Sequence, residues 1–87
     1  MEFEYGPQKS QTNLEKHGID FEIAQELWDD PDAIGFPARS EDKERFALLG
    51  IAEEKLWMAF YTRRANRIRL ISVRRARINE RILYESK

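Results

Sequence analysis

The chain predicts a single α+β domain over residues 1–87, with two N-terminal helices, a three- to four-stranded antiparallel sheet and a C-terminal helix. Three observations predict it. Helix start and stop residues bracket Pro7 to Gly18, and apolar residues recur at helical spacing from Phe21 to Trp28. Between Arg45 and Val73 the pattern changes to short runs rich in apolar, aromatic and β-branched residues, separated by tight turns. From Ala76 the helical spacing returns. Helices segregated in sequence from consecutive hairpins imply two packed layers.

Each element follows from local chemistry. Phe3–Tyr5 alternate apolar and polar, a candidate edge strand. Pro7 suits a first helical position, where its missing N–H would have no partner. That helix runs to about His17, with Gly18 as a left-handed cap. Asp20 is an N-cap for a second helix. Phe21, Ala24, Leu27 and Trp28 share one face of it, and Asp30-Pro31 stops it, because the residue before proline avoids the helical region. Ala33–Pro37 is a weak strand candidate and Arg39–Glu44 a charged loop. Arg45–Ile51 and Leu56–Thr62 are strands joined across Ala52–Lys55 at hairpin spacing. Arg63–Asn66 is a second turn, and Arg67–Val73 a third strong strand. If that strand is regular, Ile68, Leu70 and Ser72 point one way and Arg67, Arg69, Ile71 and Val73 the other, so one face changes from cationic to apolar. The final helix covers about Ala76–Glu85, with Ile78, Ile82 and Leu83 facing inward.

Charge is the most informative feature for function. Eight of the ten arginines lie between Arg63 and Arg81. Residues 57–87 carry nine basic and two acidic groups, a net of +7, whereas residues 1–56 carry six basic and fourteen acidic groups, a net of −8. The overall charge of −1 therefore hides a dipolar chain. A basic block of this kind grips a polyanion, most commonly nucleic acid, and the planar arginine fork binds phosphate oxygens in pairs. The expectation is that these guanidinium groups converge on one accessible cradle. With no cysteine, disulfides and thiolate metal sites are excluded, which fits a reducing cytoplasm. The N-terminal residues lack a signal-peptide pattern, and no run approaches the roughly 18 apolar residues of a membrane helix. Charged residues at 36% with aromatics at 11% describe a folded chain rather than a disordered one.

Several strings are familiar in this order. Lys9, Asn13 and Lys16-His17-Gly18 are followed by Asp20-Phe21, Asp30-Pro31, Arg45-Phe46 and Gly50. Tyr61-Thr62, the run from Arg67 to Ala76, Glu80-Arg81 and Tyr84-Glu85 complete the set. Together they resemble the BrnT toxin family, from Phe3 to Glu85. The resemblance implies a RelE-like fold and a ribonuclease that arrests translation. It also implies a BrnA-type antitoxin with a ribbon-helix-helix part, and contact with operon DNA only through that complex. The chain departs from the family pattern at Gly6, where aspartate is usual, at Arg63, where an acidic residue is frequent, and at Ala65, where glycine is frequent.

Metal-free RNA cleavage needs a base for the ribose 2′-hydroxyl, cationic donors for the phosphorane and an acid for the leaving 5′-oxygen. With the resemblance, the catalytic candidates are His17, Arg74, Glu80 and Tyr84. Those for RNA contact are Lys16, Arg63, Arg64, Arg67, Arg69, Arg75 and Arg81. His17 is the sole histidine, either the acid–base group or a structural residue at a helix end. Arg74 and Arg75 lie at the strand–helix junction, where both could reach one phosphate, with Arg74 stabilising the transition state. Glu80 and Tyr84 share a face at i, i+4. Glu80 near arginines stays ionised and is a weak base or, better, orients one of them, or is an ordinary surface pair. Tyr84 donates a proton, stacks on a base, or packs at the core edge. Asp29, Asp30 and Asp32 read as a solvated helix stop rather than a magnesium site, and no cofactor is expected. Two other readings stand beside the nuclease: a non-catalytic RNA- or protein-binding module, and a basic face that serves only the antitoxin.

Overall fold

Helix α1 (Pro7–His17) starts at Pro7 and ends at Gly18, whose φ of +85° lets its N–H reach back to the Leu14 carbonyl at 2.9 Å. Asp20 then accepts a hydrogen bond from the Ile23 N–H at 2.9 Å and opens α2 (Phe21–Ala24). The second helix is shorter than expected. After one α-turn it tightens into a 3-10 helix, Gln25–Asp29, before Asp30 turns extended ahead of Pro31. The computed structural model describes residues 1–39 and 44–86. The centre of the expected charged loop, residues 40–43, lies outside the described residues.

Among the described residues the sheet has five strands, not three or four, and it is mixed. They are β1 (Glu2–Glu4), β2 (Ile34–Arg39), β3 (Glu44–Ala52), β4 (Lys55–Arg64) and β5 (Arg67–Arg75), in the spatial order β1-β5-β4-β3-β2. The added strands are the two weak candidates. Both are edges, where short strands and a proline such as Pro37 are tolerated. β1 pairs parallel to β5, with Glu2 opposite Arg67 and Glu4 opposite Arg69. The two hairpins fall where expected. Glu53 and Glu54 take φ of +52° and +63° between β3 and β4, and Ala65 takes +53° between β4 and β5.

Helices cover both faces of the sheet, so the expected two layers become three. On one face Ile19, Phe21, Ala24 and Leu27 pack against Trp57, Ala59, Tyr61, Ile68, Leu70 and Val73. Phe3 and Tyr61 both meet Trp28 edge-on. On the other face Ala47, Leu49, Leu56 and Met58 pack with Phe36, Phe60, Ala76 and Tyr84, beneath α3 (Ile78–Glu85).

Strand β5 is not regular. Phe60 pairs with Ser72 but Tyr61 pairs with Leu70, so Ile71 has no partner on β4. This bulge reverses the alternation of side chains. Ile68, Leu70 and Val73 therefore all enter the α1/α2 core, and Arg67, Arg69, Ser72 and Arg74 form one row on the α3 face. The expected change from cationic to apolar along one face does not occur. Beyond β1, the free edge of β5 is closed by Asn13. Its carboxamide accepts from the Val73 N–H at 3.1 Å and donates to the Val73 and Ile19 carbonyls at 2.9 and 2.8 Å.

Helix α3 faces the other way from expectation. Ile78, Ile82 and Leu83 are 80%, 61% and 47% exposed. The inward positions are held by Glu80 and Tyr84, whose hydrogen bonds outcompete an apolar fit.

Candidate RNA-binding groove and guanidinium clamp

The bulge and the end of α1 together shape a groove. Its first hollow, of about 380 Å³, is lined by Lys9, Thr12, Asn13, Lys16, His17, Ile71 and Ser72. A second, of about 700 Å³, is lined by Lys9, Glu44, Arg45, Thr62, Arg63, Arg64, Arg69 and Ile71. The two meet at Lys9 and Ile71. Among the described residues, six cationic side chains thus line the groove with one carboxylate, Glu44, and the exposed His17 stands at one end. The Nε of Arg45 is buried without a hydrogen-bond partner among the described residues, unusual for so strong a donor.

Lys16, His17, Arg63, Arg64 and Arg69 are the predicted residues that line this groove. Arg63 lies over the Phe46 ring at 5.0 Å. Arg64 and Arg69 lie 3.4 and 3.8 Å from Glu4, which also meets Arg67 at 3.5 Å. These pairs are solvent-exposed on the arginine side and hold little energy. Lys9, Thr12, Arg45 and Ser72 were not singled out as site residues. Lys9 and Arg45 belong to the strings that carry the family resemblance, but nothing in the local sequence shows that α1 and β3 approach β5 here.

The arginine block does not converge on one cradle. Arg67 lines a hollow of balanced charge with Glu2, Glu4 and Arg64 at the β4–β5 hairpin. Arg81 pairs with Glu85 on α3 at 3.7 Å. Arg74 and Arg75 do not reach one phosphate together, because they point to opposite faces. Arg75 lies over Trp57 at 5.5 Å and Arg74 over Phe60 at 5.4 Å.

Arg74 is instead held in a clamp. It donates through Nη1 and Nη2 to the two carboxylate oxygens of Glu80 at 2.9 and 2.8 Å, and through Nη1 to the Arg75 carbonyl at 3.1 Å. Three of its five N–H donors are used, leaving Nε and one Nη2 hydrogen. Glu80 also accepts from the Arg77 N–H at 2.8 Å, tying the clamp to the start of α3. The Arg74 hydrogen bonds hold the Glu80 carboxyl below its ordinary range, opposed by burial, and Glu80 raises the Arg74 guanidinium in turn. Glu80 thus pairs through both carboxylate oxygens with the terminal nitrogens of Arg74.

Tyr84 shares its face of α3 with Glu80 but has a different partner. Its hydroxyl donates to Asp30 Oδ2 at 2.6 Å, and that bond, reinforced by burial and the charges of Asp30 and Asp32, raises the phenol to about 12. A phenol so held keeps its proton at neutral pH. Asp30 is a hydrogen-bond junction. It also accepts from the Asp32 and Ile51 N–H groups, both at 2.9 Å. Among the described residues no cluster of three His, Cys, Asp or Glu side chains gathers to hold a metal ion, and no helix is long and apolar enough to cross a membrane.

No curated protein matches the chain in sequence. A family model does, over residues 5–80 of the 87. That span takes in α1, the whole sheet from β2 to β5, the bulge and the Arg74–Glu80 clamp. The chain belongs to the BrnT family, the ribonuclease toxins of type II toxin–antitoxin systems.

Proposed function

We infer that this protein is a metal-independent endoribonuclease of RelE-like architecture that arrests translation in the cytoplasm. A BrnA-type antitoxin with a ribbon-helix-helix part neutralises it, and DNA is met only through that complex. The observation that carries the nuclease reading is the groove: six cations and the one histidine along a channel that runs past the β5 bulge. Lys9, Lys16, Arg45, Arg63, Arg64 and Arg69 hold the ribose-phosphate backbone. His17, the one imidazole of the groove, moves the proton of the 2′-hydroxyl or of the leaving oxygen. Arg74 stands in the same row as Arg69 and Ser72, oriented by Glu80, and offers its remaining N–H donors to the phosphorane. Tyr84, with its proton held by Asp30, has a positioning role for α3.

The test is incubation of antitoxin-free protein with RNA in excess EDTA. The expected result is cleavage, falling by roughly 10²–10⁴ in His17→Ala and about 10²–10³ in Arg74→Ala. Full activity in His17→Ala removes it from the chemistry. Binding without cutting supports the second reading, a non-catalytic RNA-binding module. Indifference to RNA supports a basic face that serves the antitoxin alone. Internal ion pairing of Arg74 and the scatter of Arg67, Arg75 and Arg81 favour those readings.

A further inference from the structure

Helix α3 buries no residue fully, and its apolar side chains point away from the protein. Ile78 and Ile82 are one turn apart and form a ridge opposite Glu80 and Tyr84, while the half-exposed Leu83 lies about 100° further round the helix. Isolated exposed leucines and isoleucines need no explanation, but two isoleucines stacked at i, i+4 on a helix that buries no residue fully make an apolar ridge. Arg77 and Arg81 lie along one flank of the ridge. Arg77 forms no ion pair among the described residues, although its charge acts on Glu80, and Arg81 meets Glu85 at 3.7 Å.

Resting on the toxin reading above, we propose that this outward face of α3 is the docking surface for the antitoxin. The occupant is an amphipathic segment that sets aliphatic side chains on Ile78 and Ile82 and carboxylates against Arg77 and Arg81. The chemistry selects it over other occupants. Aliphatic side chains offer RNA neither a stacking ring nor a phosphate donor. A second copy of this chain would use the same patch twice, and an antiparallel pair would press the Arg77–Arg81 flanks together. An acidic amphipathic helix satisfies both features, with anchors at i and i+4. The surface lies on the far side of α3 from the Arg74–Glu80 clamp.

The experiment measures affinity for the purified product of the reading frame adjoining this chain's own. Ile78→Glu/Ile82→Glu is expected to weaken binding at least about 100-fold, as loss of two central anchors does. Both positions are exposed, so its circular dichroism and its RNA cleavage without antitoxin should match the parent. Arg77→Glu/Arg81→Glu should weaken binding about tenfold and flatten its salt dependence. Unchanged affinity in the isoleucine variant overturns the proposal, as does a parent that fails to bind that product. Sedimentation showing a parent dimer that the isoleucine variant breaks, with antitoxin affinity unchanged, gives the surface to a second copy instead. If binding follows expectation while no protein cuts RNA, the nuclease reading fails and the docking surface stands.

Discussion

The two faces of the sheet are held by different forces. The α1/α2 face is an apolar jigsaw in which Phe21, Leu27, Leu70 and Val73 are fully or almost fully buried. The α3 face has an apolar floor, but its helix is fastened by two polar links, Arg74–Glu80 and Tyr84–Asp30, at opposite ends of α3. The first face makes the protein fold. The second sets where one helix sits. Polar links need exact partners, so they position α3 while leaving its apolar side free.

Substitution on each side should separate these roles. Leu27→Ala in the jigsaw should cost about 2–5 kcal/mol by denaturant unfolding. Ile82→Ala on the outer side of α3 should change stability by less than about 0.5 kcal/mol. Similar losses at both sites would erase the contrast.

The polar links should yield intermediate effects with a pH signature. Glu80→Gln should cost about 1.5–3 kcal/mol at neutral pH, the worth of hydrogen bonds to a charged group. Because the folded protein holds the Glu80 carboxyl below its ordinary range, that stability is fully present above the ordinary carboxylate pKa. It is lost as pH falls through the lower folded value, so parent and variant should converge in acid. Tyr84 runs the other way. Its phenol is raised from 10.0 to about 12, so the stability it adds is present below pH 10 and declines between 10 and 12. A difference between parent and Tyr84→Phe that ignores this alkaline window would show that the Asp30 bond is not the cause.

The smallest effect belongs to neither face. Ala65 holds a left-handed φ of +53° in the β4–β5 turn. Ala65→Gly should raise stability by up to about 1 kcal/mol, because glycine meets no Cβ penalty there. A lower melting temperature would mean that chain entropy outweighs that strain.

Most of the element boundaries were legible in the sequence because they rest on local chemistry. Pro7, Gly18, Asp20 and the two hairpins act within a few residues of where they stand. The parallel β1–β5 pair was not legible, since it joins Glu4 to Arg69 across most of the chain. The bulge at Ile71 was hidden because an extra residue in a strand leaves no mark in an apolar run. The orientation of α3 was misread because Ile78 and Ile82 invite burial, and only knowledge of Arg74 and Asp30 beneath the helix reveals why Glu80 and Tyr84 take that side. Among the site residues, His17 and Lys16 could be placed at the end of α1, whereas Arg63 and Arg64, expected within the turn, end β4. The share of Lys9, Arg45 and Ser72 in the groove depends on long-range packing.

Asn13 has a consequence for how this chain meets other chains. An uncovered strand invites a newcomer to continue the ladder, the route to both aggregation and peptide capture by strand addition. At Val73 both backbone groups are already taken by one side-chain amide, which imitates a neighbouring strand for a single residue. The opposite rim is interrupted by Pro37, which has no N–H to offer. The sheet is thereby closed at Val73 beyond β1 and blunted at Pro37 on the opposite rim, so strand addition at those two points has no backbone partner to meet.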